Sequence, residues 1–213
     1  MTSGQTIDKN TWERREIFDF FSMSHPFYAV CFNIEVTPLF RFCKERGLSF
    51  YHSMIYLCTE AINAVPAFLY GAKDGVIMRF ERRIPSFTHL EKGSELFKII
   101  TLPCEGSLDD FCRGAAEKCA EQKAFIDPAA EGSDLIYVSC LPWLDLTALT
   151  NEHDISDPAH REDSIPRLAW GKLKDADGKK YLNLSVEVNH RFIDGVHIGR
   201  FAQKLEELIA SLQ

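Results

Sequence analysis

Apolar residues recur at two spacings along the chain, and these spacings divide it into strands and helices. The clearest alternation is KKYLNLSVEV: Leu182, Leu184, Val186 and Val188 face one way, Asn183, Ser185, Glu187 and Asn189 the other. The clearest helical spacing follows it, with Ile198, Phe201, Leu205, Leu208 and Leu212 at steps of three and four. Upstream, AVCFNIEV within residues 28–36 reads as a strand. Thr37 caps a short helix, Pro38 fits its first turn and Gly47 ends it. Ser49 begins a longer apolar helix, SFYHSMIYLCTEAINAV, which Pro66 stops. FLYGA and VIMRF form strands around Lys73-Asp74-Gly75, and PSFTHLE and LFKIITL form two more. Ser107 starts the helix SLDDFCRGAAEKCAEQKAF, and DLIYVSCLPW is a buried strand. The polar stretch over residues 151–164 is a loop, and IPRLAWGKLK pairs with KKYLNLSVEV across Asp177-Gly178. Helices against many strands, often in hairpins, predict an α/β or α+β sandwich, one layered domain over residues 1–213.

Composition narrows the function classes. Of 213 residues 46% are hydrophobic and 26% charged, enough apolar surface to offset chain entropy, so disorder is not the dominant state. No run approaches the ~18 apolar residues of a bilayer span. The polar start MTSGQTIDKNTWERRE lacks the apolar core of a signal peptide. Lys and Arg total 24 against 31 Asp and Glu, net −7, which argues against a nucleic-acid partner. The seven cysteines are odd in number and widely spaced, without Cys-x-x-Cys. They read as reduced thiols in a cytoplasmic protein. With neither paired cysteines nor His-Glu-x-x-His, no metal site is expected.

Four segments carry candidate chemistry. NHRFIDG, residues 189–195, lies between the alternating strand and the last helix. His190 at a strand end is either a general base, suited by its ordinary pKa of ~6.5, or a hydrogen-bonded partner of a helix cap. In WERREIFDFF, Arg14 and Arg15 flank aromatics; alone this reads as an amphipathic helix with solvated arginines. In SCLPW, Ser139 ends a buried strand and is either a hydrogen-bond donor to a ligand or a satisfied core serine. SFYHSMIYL reads by periodicity as a core helix.

Together these segments resemble the chloramphenicol acetyltransferase family, from about Trp12 to Leu205. WxRRExFxF is met by Trp12, Arg14, Arg15, Glu16, Phe18 and Phe20, and FYxxMIY by Phe50, Tyr51, Met54, Ile55 and Tyr56. SxLPW is met by Ser139, Leu141, Pro142 and Trp143, and HxxxDG by His190, Asp194 and Gly195. HRxxDG is also similar to the catalytic domains of dihydrolipoamide acyltransferases. The resemblance implies an α/β fold, a two-layer sandwich of a mixed β-sheet with helices. It implies acetyl transfer from acetyl-CoA to a hydroxyl without a covalent enzyme intermediate, His190 acting as base and Ser139 bonding the oxyanion. Asp194 is implied to pair with Arg14 and fix the loop carrying the histidine. Lys172 and Trp143 are implied to meet CoA, and Phe20 and Phe21 the acceptor. The implied assembly is a homotrimer with each site at a subunit interface.

Three positions depart from the family pattern. Phe21 stands where an acceptor-contacting tyrosine is usual, Ala169 where a threonine positions a water, and Leu173 where an aromatic stacks on adenine. Asp145 adds an acid close to Trp143, and Lys174, Lys179 and Lys180 read as a solvated hairpin. Two readings compete with the hydroxyl acetyltransferase: an acyltransferase of this fold with another acceptor, such as a thiol, and a non-catalytic binding homologue.

Overall fold

The computed structural model describes residues 4–23, 25–153 and 163–212. In chain order its elements are β1 (Gly4–Thr6), α1 (Arg15–Phe21), β2 (Phe27–Glu35), α2 (Thr37–Arg46), α3 (Phe50–Asn63), β3 (Tyr70–Lys73), β4 (Val76–Phe80), β5 (Ile84–Leu90) and β6 (Phe97–Thr101). There follow α4 (Leu108–Glu121), β7 (Leu135–Cys140), β8 (Arg167–Trp170), β9 (Lys174–Ala176), β10 (Lys179–Asn189) and α5 (Gly195–Ala210). The main sheet is mixed, in the order β2-β10-β8-β7-β5-β6, with β9 beside the start of β10. β7 runs parallel to both β5 and β8, while β10 is antiparallel to β2 and β8. A small sheet, β1-β4-β3, stands beside it. This is the expected α/β sandwich of a mixed sheet with helices.

One face of the main sheet carries the helices. Leu182, Leu184, Val186 and Val188 of β10 are each 1% exposed or less and join Met54, Ile55, Ile198 and Phe201 in one core. Burying each such side chain is worth ~1.5–3 kcal/mol, so this stripe orients β10 and all that follows it. The polar side of the same strand is buried too. Ser185, Glu187 and Asn189 lie under the connection that leaves β7, bonded to Leu149, to Asn151 and His153, and to Asp163.

The turns form as their residues dictate. Asp74-Gly75 and Asp177-Gly178 all have positive φ, the two-residue geometry whose twist matches paired strands. Three expectations change. Thr37 does not cap α2; Val36 is the N-cap, and the Thr37 hydroxyl accepts from the Lys180 N–H. FLYGA begins with a tight 3-10 turn, Pro66–Leu69, where proline fits the first turn, before the strand starts at Tyr70. IPRLAWGKLK is two strands, because Gly171 breaks it: a Cβ there would sit 2.6 Å from Leu146 Cβ and 2.7 Å from Leu144 O. The Lys172 N–H donates to that same Leu144 carbonyl at 2.7 Å. The loop expected over residues 151–164 is described only at its ends; residues 154–162 lie outside the described residues.

Candidate active site

The hydrophobic stripe of β10 places His190 just past the end of the strand, and α5 begins five residues on. Asp194 is the N-cap of α5: its carbonyl accepts from the His197 N–H at 2.9 Å, and His197 Nδ1 accepts from the Asp194 N–H at 2.9 Å. Burial holds the His197 imidazole below its ordinary pKa, against the pull of Asp194, which suits it to accept. Arg14, just before α1, grips this turn with its whole guanidinium. Nη1 and Nη2 donate to Asp194 Oδ2 and Oδ1 at 2.6 and 2.5 Å, Nε to Arg191 O at 2.8 Å and Nη2 to His190 O at 3.1 Å. A planar fork is the side chain for such two-point contact. The guanidinium holds the Asp194 carboxyl below the usual carboxylate range, although partial burial opposes it.

The His190 ring is held face-on. Phe21 stacks on it with centroids 4.0 Å apart and planes 10° apart, and Tyr28 lies 4.5 Å away. The ring remains 32% exposed. Its Nδ1 is 3.1 Å from Asp194 Oδ1, without the alignment of a hydrogen bond. Tyr28 donates to Ile193 O at 3.2 Å, and burial, with the nearby Asp194 charge, pushes its phenol up to about 12. Arg14, His190 and Asp194 are therefore one unit. Phe21 belongs to it, while the Phe20 side chain beside it is 63% exposed.

Ser139 does not meet that unit within one chain. Sheet register aligns Ser139 with Ala169 and Ala169 with Ser185. His190 lies five residues beyond Ser185, in the direction in which β7 begins, not ends. At ~3.3 Å per residue the two are roughly 17 Å apart along the strands, at opposite ends of the sheet. Ser139 instead lines a cavity of about 740 Å³ with Thr88, Cys140, Trp143, Trp170 and Leu173. Its hydroxyl is 3.5 Å from the Thr88 hydroxyl. Trp143 forms the rim, 69% exposed, and Lys172 is exposed between Gly171 and Leu173, both of which line the cavity. Burial pushes the Cys140 thiol beside Ser139 up to about 12, so at neutral pH it stays protonated and a poor nucleophile.

The family model described as chloramphenicol acetyltransferase matches residues 3–206. The chain belongs to the chloramphenicol acetyltransferase family. A chloramphenicol acetyltransferase of Clostridioides difficile is 28% identical over 216 residues, covering 98% of this chain and 97% of its own. The chloramphenicol acetyltransferase 3 of Escherichia coli is 25% identical, covering 96% of each. A solved chloramphenicol acetyltransferase superposes with a TM-score of 0.86 at 25% identity, over 97% of this chain and 100% of that one. A probable dihydrolipoamide acetyltransferase from Listeria monocytogenes shares the fold, with a TM-score of 0.66 at 15% identity over 98% of this chain and 95% of that one.

As a member of this family, the chain shows its departures in place. Phe21 is the ring stacked on His190, Ala169 is buried beside Ser139 in the register, and Leu173 lines the cavity. Asp145 pairs with Lys174, Lys179 with Glu35 and Lys180 with Asp175, so these hairpin lysines are partnered. Sequence reading missed Tyr28, which gives no local signal within a strand, and the buried partners of Glu187. For Glu187 a signal exists: a carboxylate between two buried valines. Among the described residues no helix is long and apolar enough to cross a membrane, and no group of three or more His, Cys, Asp or Glu could hold a metal ion.

Proposed function

We propose that this acetyltransferase moves an acetyl group from acetyl-CoA to a hydroxyl of chloramphenicol or a related small acceptor, with His190 as general base. The observation that carries this reading is the His190 turn. Its imidazole is held between two aromatic rings and partly open, and its backbone is tied to Arg14 and Asp194. In this scheme neutral His190 takes the acceptor's proton as the oxygen attacks the thioester carbonyl. The tetrahedral oxyanion accepts a hydrogen bond from Ser139. Collapse breaks the carbon–sulfur bond, and the proton goes to the CoA thiolate. The high Cys140 pKa favours this direct transfer over an acyl-cysteine route.

The separation of His190 from Ser139 supports an active site shared between copies, with Ser139 and its cavity from one chain and His190 from the next. A homotrimer closes such head-to-tail contacts with every site complete. Trp143 and Lys172 at the cavity rim are the proposed CoA contacts, and Phe20 and Phe21 the acceptor contacts. Seven free thiols suit a cytoplasmic setting. The test is CoA-thiol release from acetyl-CoA with chloramphenicol and a panel of alcohols and thiols. Turnover with a hydroxyl compound is expected. Turnover with thiols alone would replace the acceptor, and no turnover with any acceptor would leave the binding homologue.

A further inference from the structure

Outside the His190 turn, a buried polar cluster lies on the far face of β10. Glu187 is 4% exposed, yet both its oxygens are satisfied. Oε1 meets His153 Nε2 at 2.5 Å, and Oε2 accepts from Asn151 N and Nδ2 at 2.7 and 2.8 Å. Burial pushes the Glu187 carboxyl up, and these bonds more than offset it, leaving it below its ordinary pKa. His153 lies 3.7 Å from Asp163, which Arg167 holds at 2.6 Å. The cluster then reaches the backbone on both sides of His190. Asn189 Nδ2 donates to Asp163 O at 2.7 Å, and Asn189 Oδ1 accepts from the Arg191 N–H at 3.0 Å. His153 also stacks on Phe27 at 3.8 Å, and Pro26, the residue before it, accepts the His190 N–H at 2.7 Å.

We propose that Glu187, acting through His153, Asp163 and Asn189, is a positioning residue that aims His190 from the side opposite Arg14. Arg14 fixes the carbonyls of His190 and Arg191. The Glu187 cluster, through Asn189 and through the Pro26–Phe27 segment on which His153 stacks, fixes the N–H groups of Arg191 and His190. The inference rests on His190 being the base. It predicts a specific kinetic split, because the Ser139 cavity is anchored at the other end of the sheet, where Leu144 O accepts from the Lys172 N–H beside the cavity-lining Gly171 and Leu173. Loosening Glu187 therefore misplaces the base and leaves the cavity intact.

The experiment compares the full chain with Glu187→Ala, Glu187→Gln and His153→Phe. Acetyl-CoA is used with chloramphenicol, or with the panel's best hydroxyl acceptor. A misplacement of about 1 Å costs on the order of a hundredfold, so kcat in Glu187→Ala should fall about tenfold to a hundredfold with KM for acetyl-CoA unchanged. Glu187→Gln still accepts from Asn151 and meets His153, and should restore most of kcat. The ring-proton resonances of His190, assigned by their loss in His190→Ala, should shift in Glu187→Ala as the ring leaves Phe21. His153→Phe keeps the stack on Phe27 without the bond to Glu187; it should lower kcat in the same direction and decides the matter if Glu187→Ala does not fold. Unchanged kcat and unshifted resonances in a folded variant overturn the inference, as does a fall in melting temperature alone. Full turnover in His190→Ala would instead overturn the functional reading.

Discussion

The two ends of the central sheet are built in opposite ways. At the His190 end, side chains of Phe21, Tyr28 and Asp194 converge on one ring, and Arg14 holds the turn that carries it. At the Ser139 end a cavity of about 740 Å³ is lined mostly by apolar side chains, and the serine hydroxyl lies 3.5 Å from that of Thr88. In the proposed reaction the first end moves the proton. In that reaction the second takes the pantetheine arm, and Ser139 donates to the developing oxyanion. In that reaction neither end is complete alone, and the antiparallel run of β10 against β8 keeps them apart within a chain.

Variants at the two ends should separate these roles. His190→Ala is expected to have the largest effect, lowering kcat by about 10²–10⁴, the usual contribution of a positioned base. Thiol release at wild-type rate would remove the histidine from the chemistry. Ser139→Ala should lower kcat by about 10²–10³ with KM little changed, because its bond strengthens only in the transition state. A pure KM effect would make Ser139 a ground-state contact.

Arg14→Ala strikes the link between the N-terminus and the histidine turn. Breaking a buried pair costs ~3–5 kcal/mol, and here less, since the Asp194 side chain is 29% exposed. The pair also sets a pH dependence. Arg14 lowers the folded pKa of Asp194, so its stabilisation is complete above the ordinary carboxylate range and is lost as pH falls from about 4 through the lowered value. Melting temperature should therefore drop below about pH 4 in the wild type, and Arg14→Ala should flatten part of that drop. Parallel curves would dismiss the pair. Phe21→Ala is the mildest change. An aromatic stack is worth ~0.5–1.5 kcal/mol, so a loss of roughly twofold to tenfold in kcat is expected, and no loss would mean that Tyr28 alone orients the ring.

What the sequence made legible was local. The alternation of β10, the spacing of α5 and the two Asp-Gly turns are each decided by neighbours a few residues apart, and all appear where the pattern puts them. The three residues of β1 are too few to carry a period. The break at Gly171 depends on the approach of Leu144 and Leu146, which no window around the glycine contains. The grip of Arg14 on Asp194 spans nearly the whole chain and came into view through family resemblance, not periodicity. Strand order is likewise non-local, so nothing in the run of residues showed that Ser139 and His190 stand at opposite ends. Glu187 was placed on the polar side of β10, but its partners arrive from a connection whose path no local rule describes.

The sharing of one site between two copies is tested most directly by mixing. His190→Ala and Ser139→Ala, each at least about a hundredfold impaired alone, should be co-expressed in equal amounts and the mixed oligomers purified. If His190 of one chain works against Ser139 of the next, every mixed trimer holds one complete site, about a third of the wild-type sites. Mixed oligomers as inactive as either parent would contradict the account.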